Sequence, residues 1–425
     1  MTADPGTTPG GIPDALRLDD PALAHDPYPR FAALRAAGPV APSADGSRLF
    51  VLRHAEVAAA LRDRRLGRIF HHRYTPAEIG VPPGEPAWLD ARLPEIAAFE
   101  RWELLALEPP EHTRLRRLVL EAFTPRAIAQ LAPRIRARAA ELLGAARAAG
   151  GGTLELVGGY AEPFSLGVIC DLLGIPDALR AGLVPLSHRI VGIYEPGVTP
   201  TRAADADAAA GTMRALFGDL VRERRRTGGD DLIAALAGAR VDGTGLSDDQ
   251  VVSTAMVLLM AGHEATVNAT GNGIAALAAH PDAWARLVDG SVAPEVAAEE
   301  VLRWDAPLQL FERWVLDAGV EIGGVPCPVG TRIALLLGAA NRDPLRFRDP
   351  DRFIVDRGDA GHVAFGGGIH FCLGAPLARL ELATTLGLLA RTFPRLLLTA
   401  PAERRPGFQF RGYARLQLRD PDADG

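Results

Sequence analysis

The chain has 425 residues, 48 % of them apolar and 23 % charged, with a net charge of −6. That apolar content supports a sizeable core and excludes a disordered chain, and the weak charge bias gives no case for nucleic acid or an anionic membrane as a partner. Residues 1–21 are polar and rich in Pro and Gly, without a basic and then apolar run, so no signal peptide is expected. The segment 1–25 reads as flexible, followed by a single domain over 26–425. The most apolar run, from Val251 to Gly262, is too short to span a bilayer. Cys170, Cys327 and Cys372 are odd in number and scattered, which points away from a disulfide framework and toward a reducing cytoplasm.

In chain order, the pattern predicts a helix over 28–37, a strand over 48–52 and a helix over 55–62. Residues 64–107 lack periodicity and read as one long loop, a feature that is usually functional. Helices follow over 111–121, 125–149, 161–173, 178–190, 202–226 and 231–237. Ser247-Asp248-Asp249-Gln250 is a capping box that opens a helix reaching about residue 280. That helix is apolar nearly all round, so it is expected to be buried along its length. Short strands are expected over 314–322 and 331–337, then an irregular charged stretch over 341–362. A Gly-rich loop leads into a helix over 375–392, and short strands close the chain. The layout is mainly α with a minor β region.

The strongest chemical signal is Phe365-Gly366-Gly367-Gly368-Ile369-His370-Phe371-Cys372-Leu373-Gly374. A cysteine thiolate can ligate haem iron. Glycines allow the backbone to approach a flat macrocycle, and the following helix start favours a thiolate. A catalytic Cys nucleophile is the alternative reading of the same residues, although no matching His and Asn stand out. Cys170 and Cys327 read as buried structural cysteines.

The run Phe365 to Gly374 resembles the haem-binding signature of the cytochrome P450 monooxygenases, Phe-Gly-x-Gly-x-x-x-Cys-x-Gly, at every fixed position. Glu300-Val301-Leu302-Arg303 resembles the family's Glu-x-x-Arg helix, and Asp349-Pro350-Asp351-Arg352-Phe353 resembles the segment whose Arg352 completes that structural clamp. Glu108 to Arg117 resembles the propionate-binding helix of bacterial members, with His112 and Arg116 on one helix face. Arg313 and His370 match two further propionate partners, and Trp102 stands near the expected haem edge. The resemblance implies the P450 fold, a helical prism around a buried haem b. It implies Cys372 as axial iron ligand, with Phe365, Gly366, His370 and Gly374 around the cofactor.

Ala261-Gly262-His263-Glu264-Ala265-Thr266 resembles the family's oxygen-side motif, in which Gly262 is expected to loosen the helix and Glu264 is the acid. The family's Thr is replaced by Ala265, which has no hydroxyl, and Thr266 stands one residue late, about 100° round the helix. Proton delivery is therefore open between Glu264, Thr266 and the substrate itself. We expect substrate or ordered water to serve, with Thr266 bonded back to the carbonyl four residues earlier and Glu264 in a salt bridge or pointing outward.

The family context implies O2 as co-substrate and electrons from NAD(P)H through a separate ferredoxin or flavodoxin and its reductase, met by basic residues such as Arg116, Arg117 and Arg379. A specialised metabolite is expected as substrate, with hydroxylation, epoxidation, desaturation or coupling as outcome. The pocket is expected to draw on 68–103, 190–200, 260–265, 307–311 and 408–410. Two rivals stand beside this reading: a haem protein of the same fold that has lost oxygenation, and a Cys-dependent hydrolase.

Overall fold

The computed structural model describes residues 16–44, 46–81, 92–149, 153–241 and 243–419. Most functional side chains sit on six helices: α1 (Glu111–Leu120), α2 (Glu162–Leu173), α3 (Leu183–Val191), α4 (Asp248–Ala278), α5 (Pro294–Trp304) and α6 (Ala375–Thr392). The capping box starts α4 as the sequence predicts: Gln250 N donates to Ser247 Oγ at 3.2 Å, and Ser247 N donates to Gln250 Oε1 at 3.0 Å. With few polar positions to turn outward, α4 threads the helical core and packs on α2, α5 and α6.

The β region is a five-stranded sheet of β1 (Val40–Pro42), β2 (Leu49–Val51), β3 (Leu66–Gly67), β4 (Leu310–Val315) and β5 (Arg332–Leu336). Its order is β1-β2-β5-β4-β3, with β5 parallel to β2 and antiparallel to β4. Phe311 and Arg313 are two apart on β4, so both leave the same face of the sheet.

Three expectations about elements are corrected. The stretch read as one loop holds a helix over Pro94–Glu100, besides 82–91, which lie outside the described residues. Its cap is remote: Asp207 Oδ1 accepts from the N–H groups of Glu95 and Ile96, both at 2.9 Å, so no local cap residue marks the start. The helix expected over 178–190 is two, Asp177–Arg180 and Leu183–Val191, broken at Gly182. The N-terminal segment is packed from Leu16 onward: Leu16, Leu18 and Leu23 are buried, and Arg411 donates to the carbonyls of Ala24 and His25 at 2.5 and 2.9 Å.

Glu381 of α6 is buried facing Ser165 of α2, with Oε2 unpaired, and burial pushes its carboxyl up to about 8. The folded state therefore holds a proton that the unfolded chain releases at the ordinary carboxylate pKa. This contribution to stability is full below that range and is lost as pH rises toward about 8, by up to about 1.4 kcal/mol per pH unit. Glu381→Gln is expected to flatten that part of the stability profile in denaturant melts between pH 5 and pH 8. Parallel profiles for the variant and the parent would remove Glu381 from the account.

Candidate active site

The loop before α6 is shaped by glycines that cannot be replaced. Gly366 and Gly368 have φ of 69° and 66°, in the left-handed region, and a Cβ on Gly368 would lie 2.2 Å from the Leu61 carbonyl oxygen. Cys372 N donates to Phe365 O at 3.0 Å, which folds the loop back on itself and sets the thiol just before the start of α6. Burial raises the Cys372 thiol, while the backbone N–H groups of Gly374 and Ala375 and the charges of Arg116 and Arg379 pull it down. Those influences come from donors and cations, none of them a general base, which is the environment of a ligand rather than of a His-activated nucleophile. Cys170 and Cys327 are buried with thiols raised by burial, Cys170 to about 12.

Beside this loop lies a group of buried donors, with the Glu108 carboxylate 4.0 Å from His370 Nε2. His112 of α1 and His370 of the loop are buried, with ring centroids 4.5 Å apart, and all four of their ring nitrogens lack a hydrogen-bond partner among the described residues. Arg313 of β4 is also buried and donates to the carbonyl of Glu312 at 2.9 Å. Burial first, and then the neighbouring cations, hold His370 down at about 2; burial and Arg116 hold His112 at about 4; burial and Arg68 bring Arg313 to about 10. Buried polar groups without partners are costly, and this set matches the paired carboxylates of a haem edge. Haem therefore fits the residues present: a thiol on one loop, propionate donors around it, and glycines where the backbone must come close. Arg116, expected among those donors, reaches the Phe371 carbonyl at 2.5 Å, so it braces the loop.

The clamp is present with one correction. Glu300 and Arg303 have side chains 1 % and 0 % exposed and are paired at 2.7 and 2.9 Å. The second arginine on Glu300 is Arg357, at 3.0 Å, and not Arg352. The Arg352 side chain is 75 % exposed; only its carbonyl takes part, accepting from Arg303 and Arg357 at 3.2 and 3.1 Å. The chain turns between 349 and 357, with Asp349 at φ 47°, and that turn carries Arg357 rather than Arg352 inward.

On α4, Thr266 Oγ1 donates back to Gly262 O at 3.3 Å, as expected. Ser165 Oγ donates to the same carbonyl at 3.3 Å. Gly262 does not loosen the helix: α4 is continuous there, and a Cβ on Gly262 would stand 2.8 Å from Ile169 Cγ1. The glycine lets α2 pack closely. Glu264 is buried, which settles the expectation for it toward the salt bridge: Arg405 Nη1 donates to its Oε2 at 3.2 Å, and Ser187 Oγ to its Oε1 at 3.2 Å. Ala261 is exposed and Gly262 and Ala265 are half-buried, while His263, Glu264 and Thr266 are buried.

Three of the segments expected to line a pocket are joined. Glu195 accepts from the N–H groups of Phe408, Gln409 and Phe410 at 2.8, 2.9 and 2.9 Å, and Leu308 pairs with Phe410. A cleft of 560 Å³ opens between Ile69, Glu100, Arg101 and Leu107. Glu100 on its wall and Glu103 behind it are buried and share a hydrogen bond, and Tyr194 donates to Glu100. Burial raises both carboxyls, Glu103 further because Glu100 is beside it. Trp102 is half-buried against the helical core, with Arg101 over its ring.

The family model for cytochrome P450 matches residues 201–289 and 295–406. A protein named cytochrome P450 107B1 from Saccharopolyspora erythraea is 37 % identical over 419 residues, covering 97 % of this chain and 99 % of its own. The chain belongs to the cytochrome P450 family. A second relative from the same organism, 6-deoxyerythronolide B hydroxylase, is 37 % identical over 396 residues, covering 92 % of this chain and 94 % of its own. The crystal structure of CalO2 superposes with a TM-score of 0.85 at 30 % identity, covering 97 % of this chain and all of that one. The protein is thus a P450 monooxygenase of the mainly α fold, with a haem-iron cofactor and small-molecule substrates. Neither rival reading is favoured. Among the described residues no helix is long and apolar enough to cross a membrane. Arg357, Arg405, Ser187 and His188 are the residues of this P450 that the sequence did not single out. Their partners are distant in sequence, and no local spacing marks them.

Proposed function

We propose that this P450 binds haem b through the Cys372 thiolate and oxidises a specialised metabolite in the cytoplasm, with electrons from NAD(P)H passed by a ferredoxin or flavodoxin and its reductase. The observation that carries the reading is the buried group of His112, His370 and Arg313 beside the Cys372 loop, in which the four imidazole nitrogens have no hydrogen-bond partner among the described residues. His112, His370 and Arg313 would hold the propionates, and Arg116 and the glycines would fix the loop. When bound, haem supplies the activation of O2 and the insertion of one oxygen atom. The relative named 6-deoxyerythronolide B hydroxylase supports a specialised metabolite as substrate. The test is the ferrous–CO spectrum of the purified protein, followed by product analysis with a surrogate ferredoxin and reductase. Substrates are found by screening for a shift of the haem Soret band. A thiolate-type CO spectrum with no product from any Soret-shifting compound would favour the lapsed haem protein instead.

Ala265 bears on proton supply. Thr266 is engaged with the Gly262 carbonyl and Glu264 with Arg405 and Ser187. No hydroxyl of this motif is left to deliver a proton, so a polar group of the substrate is the donor we favour. Well-placed proton donors are worth roughly 10²–10⁴ in rate. The expected result is that an analogue lacking the polar group nearest the oxidised carbon gives markedly less product per NAD(P)H consumed, while Thr266→Ala stays close to the parent. Equal coupling for both compounds, with Thr266→Ala uncoupled, would put the work back on the protein's hydroxyl.

A further inference from the structure

Three side-chain atoms able to accept converge beside α4: His263 Nε2, His188 Nε2 and Glu264 Oε1, the last of which already accepts from Ser187 Oγ at 3.2 Å. His263 is fully buried, and its Nδ1 is 3.0 Å from the Leu259 carbonyl. A carbonyl only accepts, so Nδ1 carries a hydrogen, and in the neutral form that ligates a metal Nε2 is the lone pair. That Nε2 has no hydrogen-bond partner and stands 3.5 Å from Glu264 Oε1. His188 of α3 points its Nε2 at the same oxygen from 3.2 Å. Arg405 Nη1 donates to this nitrogen at 3.1 Å, so it too presents a lone pair. Burial holds His188 below its ordinary pKa, with Arg405 acting in the same direction against the pull of Glu264.

We propose that His188, His263 and Glu264 form a binding site for a divalent transition-metal ion, zinc(II) by its ligand set. The geometry agrees with the ion. Zinc bonds of about 2.0–2.2 Å in a tetrahedron set ligand atoms about 3.3 Å apart. The two His–Glu separations, 3.2 and 3.5 Å, bracket that value, and all three ligand atoms lie within 4.8 Å of one another. The nitrogen pair closes by movement of His188, whose side chain is 34 % exposed. The surroundings suit a dication: Glu264 and Glu162 face one guanidinium, Arg405, which leaves one negative charge in excess. Arg405 gives up His188 and keeps Glu264 Oε2, while the Leu259 carbonyl keeps His263 Nδ1. Those are the outer contacts that orient metal ligands. Glu162 Oε1, 3.8 Å from His188 Nε2, or a water completes the shell. The ion would tie α3 to α4. It would also withdraw Glu264 from proton transfer, a consequence that rests on the proposed function, whereas the binding site does not.

The experiment uses full-length, haem-loaded protein without an affinity tag. Zinc sulfate is titrated against a chromogenic zinc chelator, and the bound ion is examined by X-ray absorption at the zinc edge, where haem iron does not interfere. The expected result is one zinc per chain, two imidazole ligands with oxygen ligands completing the shell, and a rise in melting temperature with zinc. His188→Ala, the more exposed ligand, should weaken binding at least ~10-fold and leave one imidazole. His263→Gln should do the same, and each variant is checked by its zinc-free melting temperature and haem content. No stoichiometric zinc, or affinity and imidazole count unchanged in both variants, overturns the proposal; the latter would place zinc on other histidines. Neither outcome touches the haem-thiolate reading, which is read separately from the ferrous–CO spectrum.

Discussion

Cys372→Ala is expected to lose the ferrous–CO band of a thiolate-ligated haem, and with it essentially all oxygenation, while Cys170→Ala and Cys327→Ala keep both. The contrast follows from surroundings more than from sequence position. Cys372 sits where helix α6 begins, with two arginines and two backbone N–H groups drawing its pKa down against burial. Cys170 is enclosed on α2 among apolar side chains, and burial pushes its thiol to about 12, which disfavours the thiolate a metal needs. Replacing Cys170 therefore removes packing alone, a cost of about 1 kcal/mol for a small side chain. The propionate donors provide a separate control. His112→Ala should lower haem retention without changing the band position, because it leaves the iron's ligand in place. A thiolate-type band that persists in Cys372→Ala would falsify the ligand assignment.

The features legible in the sequence are those whose cause is local. The capping box of Ser247 and Gln250, the all-round apolar surface of α4 and the glycine loop before α6 each depend on residues within a few positions of one another. The return of Thr266 Oγ1 to Gly262 O was legible for the same reason, since a helix fixes the i−4 carbonyl. The features missed have their cause at a distance. Asp207 caps a helix more than a hundred residues before it, so the Pro94 helix has no visible start. Gly262 reads as a point of weakness in α4, yet its space belongs to Ile169 of a different helix. Glu264 carries a family role in the motif, but the His188, Ser187 and Arg405 that surround it come from α3 and from the C-terminal loop. The same limit explains Arg352. A motif gives the order of residues, and the turn through Asp349 decides which arginine faces inward.

That last point makes the clamp a quantitative test. Glu300 accepts four hydrogen bonds: two from Arg303, one from the backbone N–H of Ile354 at 2.7 Å and one from Arg357 at 3.0 Å. Arg303 is satisfied in turn by the carbonyls of Asn341, Pro350 and Arg352. The group is buried and charge-coupled, so cutting any inner member strands a charge in the core. Glu300→Ala leaves two guanidinium groups facing each other without a carboxylate, and Arg303→Ala leaves the carboxylate with one cation. Breaking a buried pair in this way costs about 3–5 kcal/mol, a large share of a domain's total stability of about 5–15 kcal/mol. Both variants are expected to express poorly and to retain little haem, because α5 and the segment 349–357 that leads toward the Cys372 loop lose their common anchor. Arg357→Ala removes one charged bond to Glu300 and its own bonds to the carbonyls of Arg348, Asp349 and Arg352. It should cost about 1.5–3 kcal/mol. Arg352→Ala removes only a solvent-facing side chain 4.0 Å from Asp349, and should fall within about 0.5 kcal/mol of the parent. The order of melting temperatures is therefore the measurement: Arg352→Ala near the parent, Arg357→Ala lower, Arg303→Ala and Glu300→Ala lowest. Were Arg352→Ala more damaging than Arg357→Ala, the inward arginine would be Arg352 after all, and the turn through Asp349 would have to be redrawn.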